Sequence, residues 1–199
     1  GYQNLVELSS RAFTEGFHHK PRIDLDLLGQ YSNGLIGLST ATGGAAAHFL
    51  HNRDVARATG AAKELEAIFG RGNFFLEISD HGLDDDPELI KRVVGLSRST
   101  DIPIVAGNNA HYLIEEDAKA HAIMQCIGEG RTLAPGSAHQ GSSKMYVRSR
   151  EEMWAIFGDE LPEALNNTLE IAQACFVDLN LESQDLILPR FPIPADSGC

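Results

Sequence analysis

The chain has 199 residues, with 16 basic against 28 acidic side chains and a net charge of −12 with the histidines neutral. That length accommodates one ordinary domain and is short for two with separate cores, since domains typically run to about 100–200 residues. The acidity argues against a free-standing nucleic-acid binder held by phosphate contacts, and the 43% hydrophobic and 22% charged fractions exclude a wholly disordered or collagen-like chain. No run approaches the roughly 18 consecutive apolar residues of a membrane-spanning helix. Cys126, Cys175 and Cys199 are far apart and form no CxxC spacing, so neither a disulfide framework nor a cysteine zinc site is expected, and a reducing cytoplasm is the expected compartment. The opening Gly1-Tyr2-Gln3-Asn4-Leu5 has no initiator Met and no basic region before an apolar run. The expectation is a start inside a larger protein.

Residues 4–17 place Leu5, Leu8, Ala12 and Phe13 on one helical face, with Gly16 as a stop. A loop through His18-His19-Lys20-Pro21 follows. Gly34-Leu35-Ile36-Gly37-Leu38-Ser39 is a compact apolar run of the kind shown by a strand covered on both faces, and Gly43-Gly44 breaks it. Asp54 can cap a helix to about Phe69 with Val55, Ala58, Ala62, Leu65 and Ile68 as its buried stripe.

The alternation repeats twice. Residues 73–78 read as a strand, 79–86 as a polar loop and 87–100 as a helix with Pro87 in its first turn. Residues 103–106 then read as a third strand, 107–112 as its loop and 115–128 as a helix with acidic residues at its positive end. Three strand-helix units in series predict α/β architecture with a parallel sheet. A loop to Ser143, a short strand over 145–148 and helices over 151–157 and 162–174 complete the chain, with Trp154 packing inward. Residues 188–194 hold three prolines and read as an extended connector. Three units cannot close a barrel of about eight strands, so further strands are expected upstream.

In parallel α/β sheets, functional groups gather at the carboxyl ends of the strands. Here those ends supply residues 39–42, then Asp80-His81, then Asn108-Asn109-Ala110-His111. Imidazole and carboxylate at neighbouring strand ends are the donors a divalent metal uses, and the metal lowers the pKa of bound water. A second reading stands beside this one: a His in such a loop also serves as a cap or as a hydrogen-bond partner of a loop carbonyl. His18, His19, His48 and His51 read as surface residues. Asp84-Asp85-Asp86 and Glu115-Glu116-Asp117 precede helices, where anions favour the macrodipole, and Asp117 with His121 forms an i,i+4 pair. No Walker loop, GxGxxG, nucleophile elbow or HExxH occurs.

Several phrases in order resemble the PHP (polymerase and histidinol phosphatase) domain of the bacterial replicative DNA polymerase III alpha subunits, the C-family polymerases. They are Gly1-Tyr2-Gln3-Asn4-Leu5, Lys20-Pro21-Arg22-Ile23-Asp24, Gly34-Leu35-Ile36-Gly37-Leu38-Ser39, Leu76-Glu77-Ile78-Ser79-Asp80-His81-Gly82, Ala106-Gly107-Asn108-Asn109-Ala110-His111-Tyr112, and Leu161-Pro162-Glu163-Ala164 to Ile171-Ala172. The resemblance implies the C-terminal part of a distorted (β/α)7 barrel over residues 1–187 and a connector over 188–199 leading toward a polymerase palm. It implies nucleotidyl transfer by the whole subunit, with Mg in the palm, DNA and dNTPs as its substrates, and a sliding clamp and a proofreading subunit as partners.

Intact sites of this kind hold Zn or Mn and support 3′-5′ exonuclease chemistry. Two ligands would come from the pattern Asn-Asp-x-His, which falls on Asn108, Asn109 and His111, and a cysteine ligand falls on Ala41. With Ala41 and Asn109 at ligand positions, His111 retained, and Asp80, His81 and Asn108 as a polar cluster at the strand ends, the expected site is degraded and the domain mainly a scaffold. Two alternatives stand beside this reading: a free-standing PHP-type metal-dependent phosphoesterase and a non-catalytic interaction scaffold.

Overall fold

The computed structural model describes residues 1–39, 43–132 and 142–179. Within them the chain runs α1 (Tyr2–Thr14), α2 (Leu25–Tyr31), β1 (Gly37–Ser39), α3 (Ala45–His51), α4 (Val55–Phe69), β2 (Phe74–Ile78), α5 (Asp86–Thr100) and β3 (Ile104–Ala106). A 3-10 turn, Glu115–Asp117, leads into α6 (Ala118–Gly128), and α7 (Arg150–Phe157) and α8 (Pro162–Ala174) follow. The expected connector over 188–194 lies outside the described residues.

The three strands form one parallel sheet in the order β1-β2-β3. Leu76 is the hinge of the register, paired with Ser39 on one side and Ile104 on the other. Because side chains alternate along a strand, Phe74, Leu76 and Ile78 share one face with Ile104 and Ala106. That face forms the core against Ala46 and Leu50 of α3, Ala58 and Ala62 of α4, Leu89, Val93 and Leu96 of α5, and Ala164 and Leu165 of α8. Ala58 and Ala62 are wholly buried, and their small side chains let α4 lie close on the sheet. Gly37 serves the same end: a Cβ there would stand 2.5 Å from the Phe69 ring, which stacks on Phe74 with centroids 6.0 Å apart.

Capping fixes the helix starts. Asp54 accepts from Arg57 N–H at 3.0 Å, as its position predicts. Ser149 and Glu152 form a reciprocal capping box at α7. Asp24 accepts from Leu27 N–H at 2.8 Å and starts α2, a helix where the sequence reading has a loop; the Asp-Leu-Asp-Leu-Leu start was the available signal.

Other expectations need correction. The strand over 34–39 is confined to Gly37–Ser39, and Leu38 is half exposed rather than covered. On α1 only Leu8 is buried, while Leu5 and Phe13 face outward. Val55 is exposed at the first turn of α4. Residues 145–148 form no strand and carry only an isolated parallel bridge, Tyr112 with Tyr146. Trp154 is exposed: α7 buries Phe157 instead, and Trp154 closes over Gly158, where a Cβ would meet its ring. The parallel α/β assignment itself holds, with a sheet of three described strands.

Leu76 is 1% exposed at the centre of this core. Leu76→Ala should therefore lower the unfolding free energy by about 2–5 kcal/mol, read as a shift of the urea midpoint at unchanged slope.

Candidate functional site

Beyond Ile78 and Ala106 the two inner strands release adjacent loops, and the register that pairs these residues brings Asp80-His81 beside Asn108-Asn109. The first loop turns tightly. Asp80 Oδ1 accepts from Gly82 N–H at 2.8 Å, and Asp86 Oδ2 accepts from His81 N–H at 2.7 Å and Leu83 N–H at 3.0 Å. Asp86 is thus buried loop scaffolding and not the exposed helix cap that the acidic run predicts; the helix start carries no side-chain cap bond.

Residues 142–149 cross both loops as a strap. Arg148 Nη1 donates to the Asp80 carbonyl at 2.5 Å, and Ser142 Oγ donates to the His81 carbonyl. Asn108 Nδ2 donates to the Tyr146 carbonyl at 2.9 Å, His111 N–H to the Met145 carbonyl at 2.7 Å, and Val147 N–H to the Tyr112 carbonyl at 3.1 Å. Lys144 Nζ pairs with Glu115 Oε1 at 2.9 Å and holds that carboxyl below its usual range. Glu115 therefore anchors the strap, a role that the macrodipole reading missed. Tyr146 and Arg148 carry no sequence signal for such a role, because their partners are 38 and 68 residues away.

The predicted residues separate into two environments. His81 is 1% exposed, and neither ring nitrogen has a hydrogen-bond partner; Nδ1 stands 4.0 Å from Asp86 Oδ2. Asn108 Oδ1 is likewise buried and unpaired. His111 and Asn109 are exposed, and Asn109 occupies the left-handed region at φ 44°, which Asn tolerates better than most residues. The His111 ring packs edge-on to His121, centroids 5.2 Å apart, and Tyr112 lies 5.4 Å from the same ring. His121 is thereby engaged with aromatic rings rather than paired with Asp117. His18, His19, His48 and His51 are exposed. Ala41 lies outside the described residues.

Burial pushes the His81 imidazole below its ordinary pKa; Asp86 and Asp80 oppose that effect, and Arg148 and His111 reinforce it. Burial also raises the Glu77 carboxyl, against the hydrogen bond from Ser79. A Cβ at Gly107 would meet the Glu77 carboxyl, so a larger residue there would have to displace that side chain.

A divalent cluster does not fit the described residues. No three His, Cys, Asp or Glu side chains converge among them, and Asn109, two residues before His111, offers an exposed neutral amide. Neutral amide is a poorer ligand for such ions than carboxylate. What the arrangement does achieve is a cross-linked mouth: two strand-end loops tied to one strap, with a neutral imidazole sealed beneath.

Residues 1–81 match the PHP domain family. That match ends at His81, so the 108–111 loop lies beyond it. Over nearly its whole length the chain is also similar to DNA polymerase III subunit alpha. It is 37% identical to that of Borreliella burgdorferi over 197 residues, covering 98% of this chain and 17% of the relative. It is 38% identical to that of Thermus aquaticus over 202 residues, covering 98% and 16%, and 36% identical to that of Pseudomonas aeruginosa over 200 residues, covering 100% and 17%. The chain is thus similar to DNA polymerase III subunit alpha along nearly its whole length, and it spans about one-sixth of the length of these relatives.

His81 supplies a pH test. Its folded pKa lies below the unfolded 6.5, so its neutral form is the one folding tolerates. Stability is full above about 6.5 and declines as pH falls from there toward the lower folded value. Chemical denaturation between pH 7.5 and pH 5 should show that decline, and His81→Leu should flatten it. An unchanged slope in the variant would assign the decline to other groups.

Proposed function

We propose that residues 1–199 are a section of a longer DNA-directed DNA polymerase of the DNA polymerase III alpha kind, in which this section mainly serves as scaffold beside the polymerising centre. The observation that carries the reading is identity of 35–38% along 98% of the chain to relatives of which it spans only 16–17%. Nucleotidyl transfer, its Mg ions, and the sites for DNA and dNTPs belong on this reading to polypeptide beyond these residues. The net charge of −12 fits a section that does not itself hold DNA tightly.

Two structural features support placing residues 1–187 in a distorted (β/α)7 barrel. In the described sheet β1 and β3 each have a neighbour on one side only, and an open parallel sheet is stable when its edges and faces are covered. The large apolar side chains Leu5, Phe13 and Leu38 stand exposed on the elements that further strands would cover. Residues 188–199 serve as the connector. Its metal pocket is degraded on this reading, since Asn109 and Ala41 stand where carboxylate and thiolate donors belong and His111 alone is retained. Zn- or Mn-dependent 3′-5′ exonuclease activity is therefore expected to be weak or absent. A sliding clamp and a proofreading subunit are the partners such a polymerase uses, in the cytoplasm. No helix among the described residues is long and apolar enough to cross a membrane.

A free-standing phosphoesterase is the competing enzyme reading, and an interaction scaffold with no polymerase attached is the competing non-enzyme reading. Expression of the full open reading frame distinguishes all three. The expected protein extends a primed template with dNTPs and removes 3′-terminal nucleotides slowly or not at all. A short product that hydrolyses small phosphate esters would overturn the proposal, and so would a long product with no polymerase activity.

A further inference from the structure

The turn between α2 and β1 carries Asn33-Gly34, the one place in the chain where glycine follows asparagine. Leu35 N–H donates to the Ser32 carbonyl across it at 3.0 Å. Gly34 stands at φ 73° and Asn33 stays outside the left-handed region, which is the pattern of a type II turn. Both residues are exposed. The Asn33 carbonyl accepts from Asn4 Nδ2 of α1 at 2.8 Å. In a planar trans peptide the carbonyl and the following N–H point opposite ways, so the Gly34 N–H faces away from α1. It has no hydrogen-bond partner among the described residues, and neither has the Asn33 side chain.

Asparagine is a thermolabile residue, and elsewhere in the fold it is restrained. Asn52 donates to the His48 carbonyl at 2.9 Å, Asn73 to the Phe69 carbonyl at 3.3 Å and Asn167 to the Ile104 carbonyl at 2.7 Å. Asn109 and Asn166 are exposed, but each precedes a residue whose Cβ crowds the next backbone nitrogen. Glycine has no such atom. Asn33 therefore combines a free amide, an unhindered neighbouring nitrogen and access to water.

We propose that Asn33 is a self-modification site, whose side-chain amide cyclises onto the Gly34 nitrogen and opens to isoaspartate, loosening α1. The Gly34 nitrogen gives up its proton and attacks Asn33 Cγ. The new N–Cγ bond forms, the Cγ–Nδ2 bond breaks, and ammonia leaves with the proton. Water then opens the imide. Attack at Cγ yields aspartate; attack at the backbone carbonyl yields isoaspartate, whose chain runs through the side-chain carbons. No atom changes oxidation state. The isoaspartyl link adds one carbon to the main chain between Ser32 and Leu35, so the hydrogen bond that closes the turn is lost and the Gly34 carbonyl shifts. Gly1 packs so closely on that carbonyl that a Cβ there would clash with it. Leu8 is the one buried side chain of α1, so the helix has little else to hold it.

The test ages the full-length protein at a series of pH values, below its unfolding temperature, and maps the peptides by mass spectrometry with fragmentation that separates aspartate from isoaspartate. Amide loss at Asn33 should run several-fold ahead of every other asparagine, yield isoaspartate, and accelerate with pH because the attacking nitrogen must lose a proton. Asn33→Gln keeps the backbone carbonyl that holds Asn4 but requires a larger ring, so it should fold as the parent and lose the conversion. Hydrogen exchange at amides 5–9 should become several-fold faster in the aged parent and stay unchanged in the aged variant. Amide loss spread evenly over the asparagines, no acceleration with pH, equal loosening in the variant, or α1 exchange unmoved by conversion would each overturn the proposal. None of these readouts depends on the polymerase reading.

Discussion

Phe74, Leu76 and Ile78 occupy one face of a strand that has a hydrogen-bonded neighbour on each side, and their burial positions everything downstream of them. A parallel strand cannot slide by one residue without turning its apolar set to the opposite face, so the register of β2 is pinned by the helices packed on it. From that register it follows that Asp80-His81 and Asn108-Asn109 leave the sheet side by side. The small residues Gly37, Ala58 and Ala62 make this possible by letting α4 and Phe69 close onto the sheet. The chemistry at the strand ends is thus a consequence of the core, since neither loop has regular structure of its own.

The mouth above the sheet is held in place differently. Its bonds run from the strap to loop carbonyls and to the Asn108 amide, and they satisfy groups that would otherwise be buried without partners. The exceptions are the His81 ring nitrogens and Asn108 Oδ1. Leaving such groups unpaired costs about 1–3 kcal/mol each, which is tolerated because Asp86 and the strap over-determine the loop that carries His81. Burial disfavours the charged form of the His81 imidazole, whereas His111 is exposed.

Periodic features were legible from the sequence because their cause is local. The α4 stripe apart from Val55, the α5 helix with its early proline, the Asp54 cap and the β2 and β3 strands all follow from spacing within a few residues. The fates of individual side chains were less legible. Trp154 and Phe157 sit three residues apart on one helix, and which of them is buried depends on α8 and the core. Asp86 looks like a cap in an acidic run, yet its carboxylate turns back to the loop. The strap depends on pairings across 29 to 68 residues, which no local pattern reports. Of the candidate site, the strand-end location was legible, and the PHP resemblance singled out Asn109 and His111; the division into a sealed His81 and an open His111 required the fold.

On the proposed reading, these residues belong to a PHP-type segment whose metal pocket lacks donors at positions 41 and 109. The most direct measurement is the zinc and manganese content of the purified full-length protein, determined by mass spectrometry after gel filtration without chelator. Substoichiometric metal is the predicted result. A stoichiometric cluster that survives the column and disappears on His111→Ala would contradict it, by demonstrating that the amide and methyl side chains at positions 109 and 41 have not disabled the centre.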